Sequence, residues 1–332
     1  MPFDSVTTRS DVQPLIREQL SKYLLGAVPE RSAVMSLARR LPNMGSAQTR
    51  MPVLSALSTA YFKNPSDSGL GNTTEVSWDN KYIDAEDIMA IMPIAKNVIA
   101  DSSFDVWEEV KPELATAIAT LIDAAVIYGT NIPATWAANL GTTTTSYNGL
   151  VARATAASQI VAWSGFTDIY EALNGETAPA AADGVLMLLE ANGYMATGAI
   201  AHTSFRGALR GCRDSNGNPI FRALPLEGEF PTDDVGGVLV LYPMEGVLAS
   251  ATCKAIYGQW NELVYSIRQE MTLEVSDQAV LTDAQGAVTR NLWQQDEVAL
   301  KVHMRLGFAL PNRINRTNQT ELTRCAFSVL TD

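Results

Sequence analysis

The chain has 332 residues, 47% of them apolar and 18% charged, with 24 basic and 36 acidic residues and a formal net charge of −12. That composition supports a folded core of one composite or two domains and excludes a disordered chain. The acidic balance excludes a nucleic-acid binder of the usual kind, whose phosphate affinity needs clustered Lys and Arg; near DNA, such a chain would enclose rather than grip.

Cys212, Cys253 and Cys325 stand far apart, with no CxxC or CxH cluster, so neither a structural zinc site nor a disulfide framework is expected and a reducing compartment is. The opening MPFDSVTTRSDVQPL lacks the basic and apolar blocks of a secretory signal. No stretch reaches the ~20 apolar residues of a membrane span, and the chain reads as soluble.

Residues 1–50 carry no sizeable core. Within them Val12, Leu15, Ile16, Leu20, Tyr23 and Leu24 recur at helical spacing, with Ser10 or Asp11 as N-cap and Gly26 as stop. One amphipathic helix on a polar arm packs either on its own body or on a neighbour, and the pattern leaves both open. Residues 51–84 read as a long hairpin: MPVLSALSTAYF and TEVSWDNKYI flank KNPSDSGLGNT, a polar tip without an apolar anchor.

The clearest helix follows. Ser102 and Asp105 resemble a capping box, and Phe104, Trp107, Val110, Leu114, Ile118, Leu121, Ile122 and Ala125 recur at three- and four-residue steps. Pro112 is expected to kink or split it; Gly129 ends it and Pro133 prevents its resumption. Such a rod would be the spine of a domain, with Phe104, Trp107, Leu114, Ile118 and Leu121 in its core. Residues 134–150 read as a loop.

From 151 to about 262 short apolar strands (MATGAIAH, VGGVLVLY) alternate with helices (ADGVLMLLEANGY, SFRGALRGCR), an α/β unit. Beyond it Tyr265, Ile267, Met271, Leu273 and Val275 alternate with Ser266, Arg268, Glu270, Thr272 and Glu274. After a linker at 276–291, Val298, Leu300, Val302, Met304, Leu306 and Phe308 alternate with Lys301, His303 and Arg305. Both are period-2 strands, expected to form an antiparallel layer over the long helix.

Motifs for chemistry are weak. There is no GxSxG, and neither histidine has supporting residues: His303 falls on the polar face of a strand, and His202 ends a strand where it would cap the next helix. Cys212 lies near Arg210 and Arg213, which could lower a thiol pKa, yet has no partner histidine and reads as a small buried residue. GLGNTT at 69–74 lacks the ending of a phosphate loop. Asp233–Asp234 and Glu108–Glu109 read as solvated acids without calcium-loop spacing. The densest basic cluster, Arg39, Arg40 and Arg50, is no ordinary nucleic-acid patch. The expectation is a structural protein with no cofactor, no metal and no catalytic residues.

An arm, a polar-tipped hairpin, a spine helix, an α/β body and a β-layer, in that order, resemble the major capsid protein of tailed bacteriophages, the Hong Kong 97-type fold. The most telling stretch is IMPIAKNVIADSSFDVWEEVKPELATAIATLIDAAVIYGTNIP (91–133). It is similar to the family's strand, aspartate–serine turn and spine helix closing in Asp-Ala-Ala, here Asp101, Ser102, Asp123, Ala124, Ala125 and the following Gly129. ARRLPNMGSAQTRMPVLSALSTAYF (38–62) resembles the passage from the N-arm into the extended loop, or E-loop. GYMATGAIAHTSFRGALRGCRDSNGNPIF (193–221) and LWQQDEVALKVHMRLGFALPN (292–312) resemble parts of the A-domain and the returning P-domain strands.

The resemblance implies an α+β fold: N-arm at 1–50, E-loop hairpin at 51–90, P-domain with spine helix at 91–149, A-domain at 150–263, P-domain strands and C-terminus at 264–332. It implies a virion protein, assembled in the host cytoplasm, forming pentamers and hexamers in an icosahedral shell around double-stranded DNA. Inter-subunit contacts would come from Tyr61, Phe62, Lys63, Asn64, Trp78 and Lys81 of the E-loop and from Leu15, Ile16, Leu20 and Tyr23 of the N-arm. Portal, decoration and separate scaffolding proteins would be partners, with no membrane and no large N-terminal cleavage. The alternatives are an encapsulin-like compartment shell, which shares the fold, and a soluble intracellular enzyme.

Overall fold

The computed structural model describes residues 32–62, 73–101, 106–142, 145–175, 183–213, 216–221, 231–244, 247–249, 251–283 and 285–332, without the side chains of 106–109 and 111. Leu15, Ile16, Leu20, Tyr23, Lys63, Asn64 and Phe104, the Ser102–Asp105 capping box and the side chain of Trp107 therefore lie outside the described residues.

Two sheets organise the chain. The first has four strands, in the order β1 (Arg39–Arg40), β10 (Val264–Ser276), β13 (Glu297–Ala309) and β4 (Glu86–Ala95); β1 runs parallel to β10 and the other pairs are antiparallel. The second has six, in the order β5 (Ile160–Ala162), β14 (Phe327–Thr331), β9 (Ala255–Gly258), β6 (Gly198–Ala201), β8 (Val238–Leu241) and β7 (Thr232–Val235). A two-stranded ribbon, β2 (Gln48–Ala56) with β3 (Ser77–Asp84), stands beside them.

The period-2 strands behave as their patterns require. Val298, Leu300, Val302, Met304 and Leu306 are buried along β13 while Lys301, His303 and Arg305 turn toward solvent. Ser266 departs from its pattern: it is buried, and its hydroxyl donates to the Pro42 carbonyl at 2.6 Å, because residues 39–44 run along β10 and cover it. Asp87 of β4 lies 2.5 Å from Arg305 and 3.5 Å from His303, so the polar face is knitted across strands.

The spine helix, here α3 (Val106–Tyr128), is continuous through Pro112, neither split nor ended by it. Its Thr116 and Thr120 hydroxyls bond the carbonyls four residues back, Pro112 and Thr116. Leu114, Ile118, Ile122, Ala125 and Val126 share one buried face. Leu121 is 40% exposed and does not belong to the core; at 100° per residue it falls on the rim of that face, outside the stripe that the other five define. Gly129 ends the helix with φ +72°, and a Cβ there would lie 2.5 Å from the Asn148 backbone, so glycine is required twice over.

Several expectations are corrected. The strand after the hairpin begins at Glu86, inside the stretch assigned to the hairpin, and ends at Ala95, followed by a short helix, α2 (Lys96–Asp101); Ser102 of the aspartate–serine turn lies outside the described residues. Residues 134–150 hold α4 (Ala134–Asn139) and the start of α5 (Gly149–Ala156), since Trp136 is buried edge-to-face on Phe308 at 5.3 Å. The linker at 276–291 contains a small antiparallel pair, β11 (Val280–Thr282) and β12 (Val288–Asn291). Asp233 is not in a loop: β7 and β8 join through Gly236 and Gly237, both with positive φ, as a two-residue hairpin needs.

No strand near the C-terminus is among the sequence expectations; β14 inserts into the six-stranded sheet, between β5 and β9. Burial drives it there: Phe327, Val329 and Leu330 are wholly covered, and Phe327 lies edge-on to Trp260 at 5.1 Å. Gly258 opposite it admits no side chain, because a Cβ would meet the Phe327 ring at 2.3 Å. One apolar core runs through α3 and both sheets; a second, smaller one (Met44, Ile83, Ala85, Val264, Ala309) roots the ribbon.

Candidate functional site

Among the described residues the ribbon carries the densest set of exposed aromatic side chains. Its register places Arg50 opposite Tyr82, Pro52 opposite Asn80 and Leu54 opposite Trp78. With a two-residue side-chain period, these six share one face. The other face carries Val53 and Ile83, both buried against the body. Trp78 is 65% exposed and Tyr82 39%; beyond the strand, Tyr61 is 59% exposed and Phe62 entirely so. A two-stranded ribbon is marginal alone in water, and this one holds its aromatics outward instead of folding them in.

Lys81 does something else. It points to the inner face, where its ammonium lies 2.9 Å from Glu321 of the same chain. Both are largely covered, at 13% and 29% side-chain exposure. Arg316 adds a second tie, donating to the Ser58 carbonyl at 3.3 Å. A cavity of about 440 Å³ remains between ribbon and body, lined by Pro52, Leu54, Trp78, Tyr194, Glu262 and Arg313. Its polar floor is spent on itself: Arg313 binds buried Glu262 through Nε at 3.2 Å and through Nη2. Burial raises the Tyr194 hydroxyl to about 12.

The C-terminal segment beneath the ribbon is held by two buried arginines. Arg153 donates to the carbonyls of Glu321, Leu322 and Arg324 at 2.6, 3.1 and 2.7 Å, and Arg324 donates to those of Asn312 and Asn318 at 2.9 and 3.1 Å. Each guanidinium gathers several carbonyls of one loop, which suits its planar fork of donors. Glu321 is thereby presented to Lys81. Nothing in the local sequence signals these arginines, since their partners are backbone atoms far along the chain.

Asp123 is likewise structural. It is buried within α3 and accepts from Ser32 Oγ at 2.5 Å and from the Ala33 and Val34 amides at 2.9 and 3.3 Å. Ser32 Oγ accepts in turn from Met35 N at 3.0 Å, closing the start of α1 (Ala33–Leu37) onto the spine helix. Burial outweighs these bonds and pushes the carboxyl up to about 7.

The remaining candidates for chemistry sit in structural roles. His202 Nδ1 accepts from the Ser204 amide at 3.1 Å and caps α8 (Thr203–Gly211). Asp233 is fully buried and pairs with Arg206 at 2.6 Å, not solvated as the adjacent acids suggested. All three cysteines are buried and free; burial raises the Cys212 and Cys325 thiols and takes Cys253 to about 12. Among the described residues no three His, Cys, Asp or Glu converge as metal ligands, and no helix is long and apolar enough to cross a membrane.

The comparisons agree with this arrangement. A family model described as the phage capsid family matches residues 13–313. Among solved structures, a chain of Microbacterium phage Oxtober96 is 27% identical with TM-score 0.73, 90% of each chain being covered. One of Mycobacterium phage Adephagia is 24% identical with TM-score 0.71 over 98% of each. The capsid of a native GTA particle shares the fold at 16% identity and TM-score 0.56, covering 90% of this chain and 89% of its own. A search of curated protein sequences finds no match. A family match across most of the chain and a shared fold lead to one conclusion: the chain belongs to the phage capsid family and is a shell-forming structural protein of the virion.

Proposed function

We propose that this chain is the major head protein, assembling with itself into pentamers and hexamers that close an icosahedral shell around double-stranded DNA. The family match over residues 13–313 carries the reading, and the similar GTA capsid, computed with fivefold symmetry, supports pentameric vertices. In this reading the ribbon is the E-loop. Tyr61, Phe62 and Trp78, with Lys63 and Asn64 beyond them, reach a neighbouring subunit, while Lys81 sets the angle of the ribbon from within. The four-stranded sheet and α3 form the P-domain, the six-stranded sheet the A-domain, and the arm with Leu15, Ile16, Leu20 and Tyr23 adds a further contact. A portal, a separate scaffolding protein and a decoration protein are the partners this reading adds.

The mechanism is mechanical. Each subunit makes modest contacts with several neighbours, and their multiplicity stabilises the shell. The net charge of −12 keeps the wall from adsorbing its cargo. Negative-stain electron microscopy of the high-mass fraction of the purified full chain tests the reading. Closed shells, tubes or capsomer rings are expected; a monomer at every concentration, with and without co-expressed scaffold, would sink it.

A further inference from the structure

Charge is segregated along this chain. Between Glu30 and Asp67 lie five of its 24 basic residues and none of its 36 acidic ones. The described part of that stretch forms α1, the strap 39–47 and β2, so its arginines occupy one end of the four-stranded sheet and the ribbon root. Arg39 and Arg40 pair with Val264 and Tyr265, the first residues of β10, and both side chains are exposed. Arg50 is exposed on the outer face of the ribbon. Among the described residues none of the three has a carboxylate partner; Arg40 reaches only the Asn43 amide at 3.2 Å. Acids toward that end are engaged elsewhere: Glu262 with Arg313, Asp84, opposite Gln48 in the ribbon, with the Asn139 amide at 3.0 Å, and Glu86 with the Thr135 hydroxyl at 2.7 Å.

The other end of the same sheet has the opposite sign. Glu270 and Glu274 are exposed along β10, Asp277 and Asp296 meet at Lys96 where the sheet passes into β11, and Asp283 caps the β11–β12 turn, accepting from the Gln285 and Ala287 amides at 3.0 and 2.8 Å. Against these five carboxylates stand Lys96, which Asp277 and Asp296 share at 3.4 and 3.3 Å, and Lys301, 3.7 Å from Glu274. Arg290 and Glu297 neutralise each other at 2.6 Å.

From Tyr265 to Glu274 the strand runs about 30 Å, three times the ~10 Å over which salt screens exposed charges. The two ends cannot compensate one another within a single copy. We infer that the Arg39–Arg40–Arg50 surface docks on the acidic distal end of the sheet, centred on Glu270, Glu274 and Asp283, in a second copy of this chain. Two different patches meeting head to tail form a heterologous contact, the kind that propagates into rings. The inference rests on the self-assembly proposed above and adds which surfaces meet and in what direction.

A charge swap in the full chain tests it. Arg39→Glu with Arg40→Glu, and separately Glu270→Lys with Glu274→Lys, are each expected to lower the yield of assembled particles about ten-fold, and the four changes together to restore it to within about three-fold. Circular dichroism and melting temperature of each variant separate assembly from folding, and Arg39→Gln with Arg40→Gln gives a milder version of the same loss. Raising NaCl from about 0.05 to 0.5 M should weaken association of the wild type and leave the neutral variant less sensitive.

Wild-type particles with both reversals harmless, or two losses without rescue, would overturn the inference and leave the capsid reading intact. Loss from the arginine reversal alone, with a fall in particle DNA content, would assign these arginines to nucleic acid instead. A wild type that never self-associates would overturn both.

Discussion

Asp123 shows how a single carboxyl can tie two distant segments. Its oxygens hold Ser32, Ala33 and Val34 on the flank of the spine helix. Burial raises its pKa to about 7, above the ~4 of an unfolded carboxyl, so between these values the folded chain holds a proton that the unfolded chain has lost. Stability therefore falls as pH rises from about 4 to about 7 and levels off above. Denaturant melts across that range should show the decline, and Asp123→Asn should flatten it. The same variant turns one acceptor into a donor facing backbone amides and is expected to cost about 1–3 kcal/mol. Asp233 is also buried, and it pairs with Arg206 at 2.6 Å. Asp233→Ala strands that guanidinium and should cost about 3–5 kcal/mol in the same assay.

At the scale of elements, the spine helix separates two leucine-type positions that look alike in the sequence. Ile118 is 3% exposed and Leu121 40%. Ile118→Asp buries an unpaired charge and should abolish soluble, cooperatively melting protein, whereas Leu121→Asp should melt within a few degrees of the wild type. Equal effects of the two would show that the face of α3 is misassigned. The ribbon is balanced differently. Its inner face is fastened by Val53, Ile83 and the Lys81–Glu321 pair, while Trp78 and Tyr82 of its outer face stay exposed. Lys81→Ala removes a partly covered ion pair; the expected result is an unchanged melting temperature and a looser ribbon, read as faster hydrogen exchange of residues 77–83.

For the whole molecule, one continuous core joins α3 to both sheets, and the proposed contact devices stand at its margins. Removing residues 64–73 should leave its melting temperature unchanged and lower shell yield; a truncated chain forming shells as stable as the full one would show that the ribbon tip is not a contact. The polar sheet argues that assembly has a direction, with the arginine end of one copy facing the acidic end of the next.

Much of this was legible before any coordinates. Periodicity alone located α3, the ribbon arms and the long β10 and β13 strands, because each buries one face and the pattern of apolar residues records that face directly. The charge imbalance and the lack of a nucleophile, phosphate or metal motif were likewise properties of the residues. What only the tertiary structure decided were pairings between distant segments. β14 joined the six-stranded sheet rather than the four-stranded one, since a buried apolar strand reads the same in either. Lys81 turned inward because Glu321, 240 residues away, is held there by arginines bonded to backbone carbonyls. Leu121 and Ser266 exchanged expected environments according to what covered them. A sequence records which face of an element is apolar; which segment lies against it is set by the competition among all segments for the same buried surface.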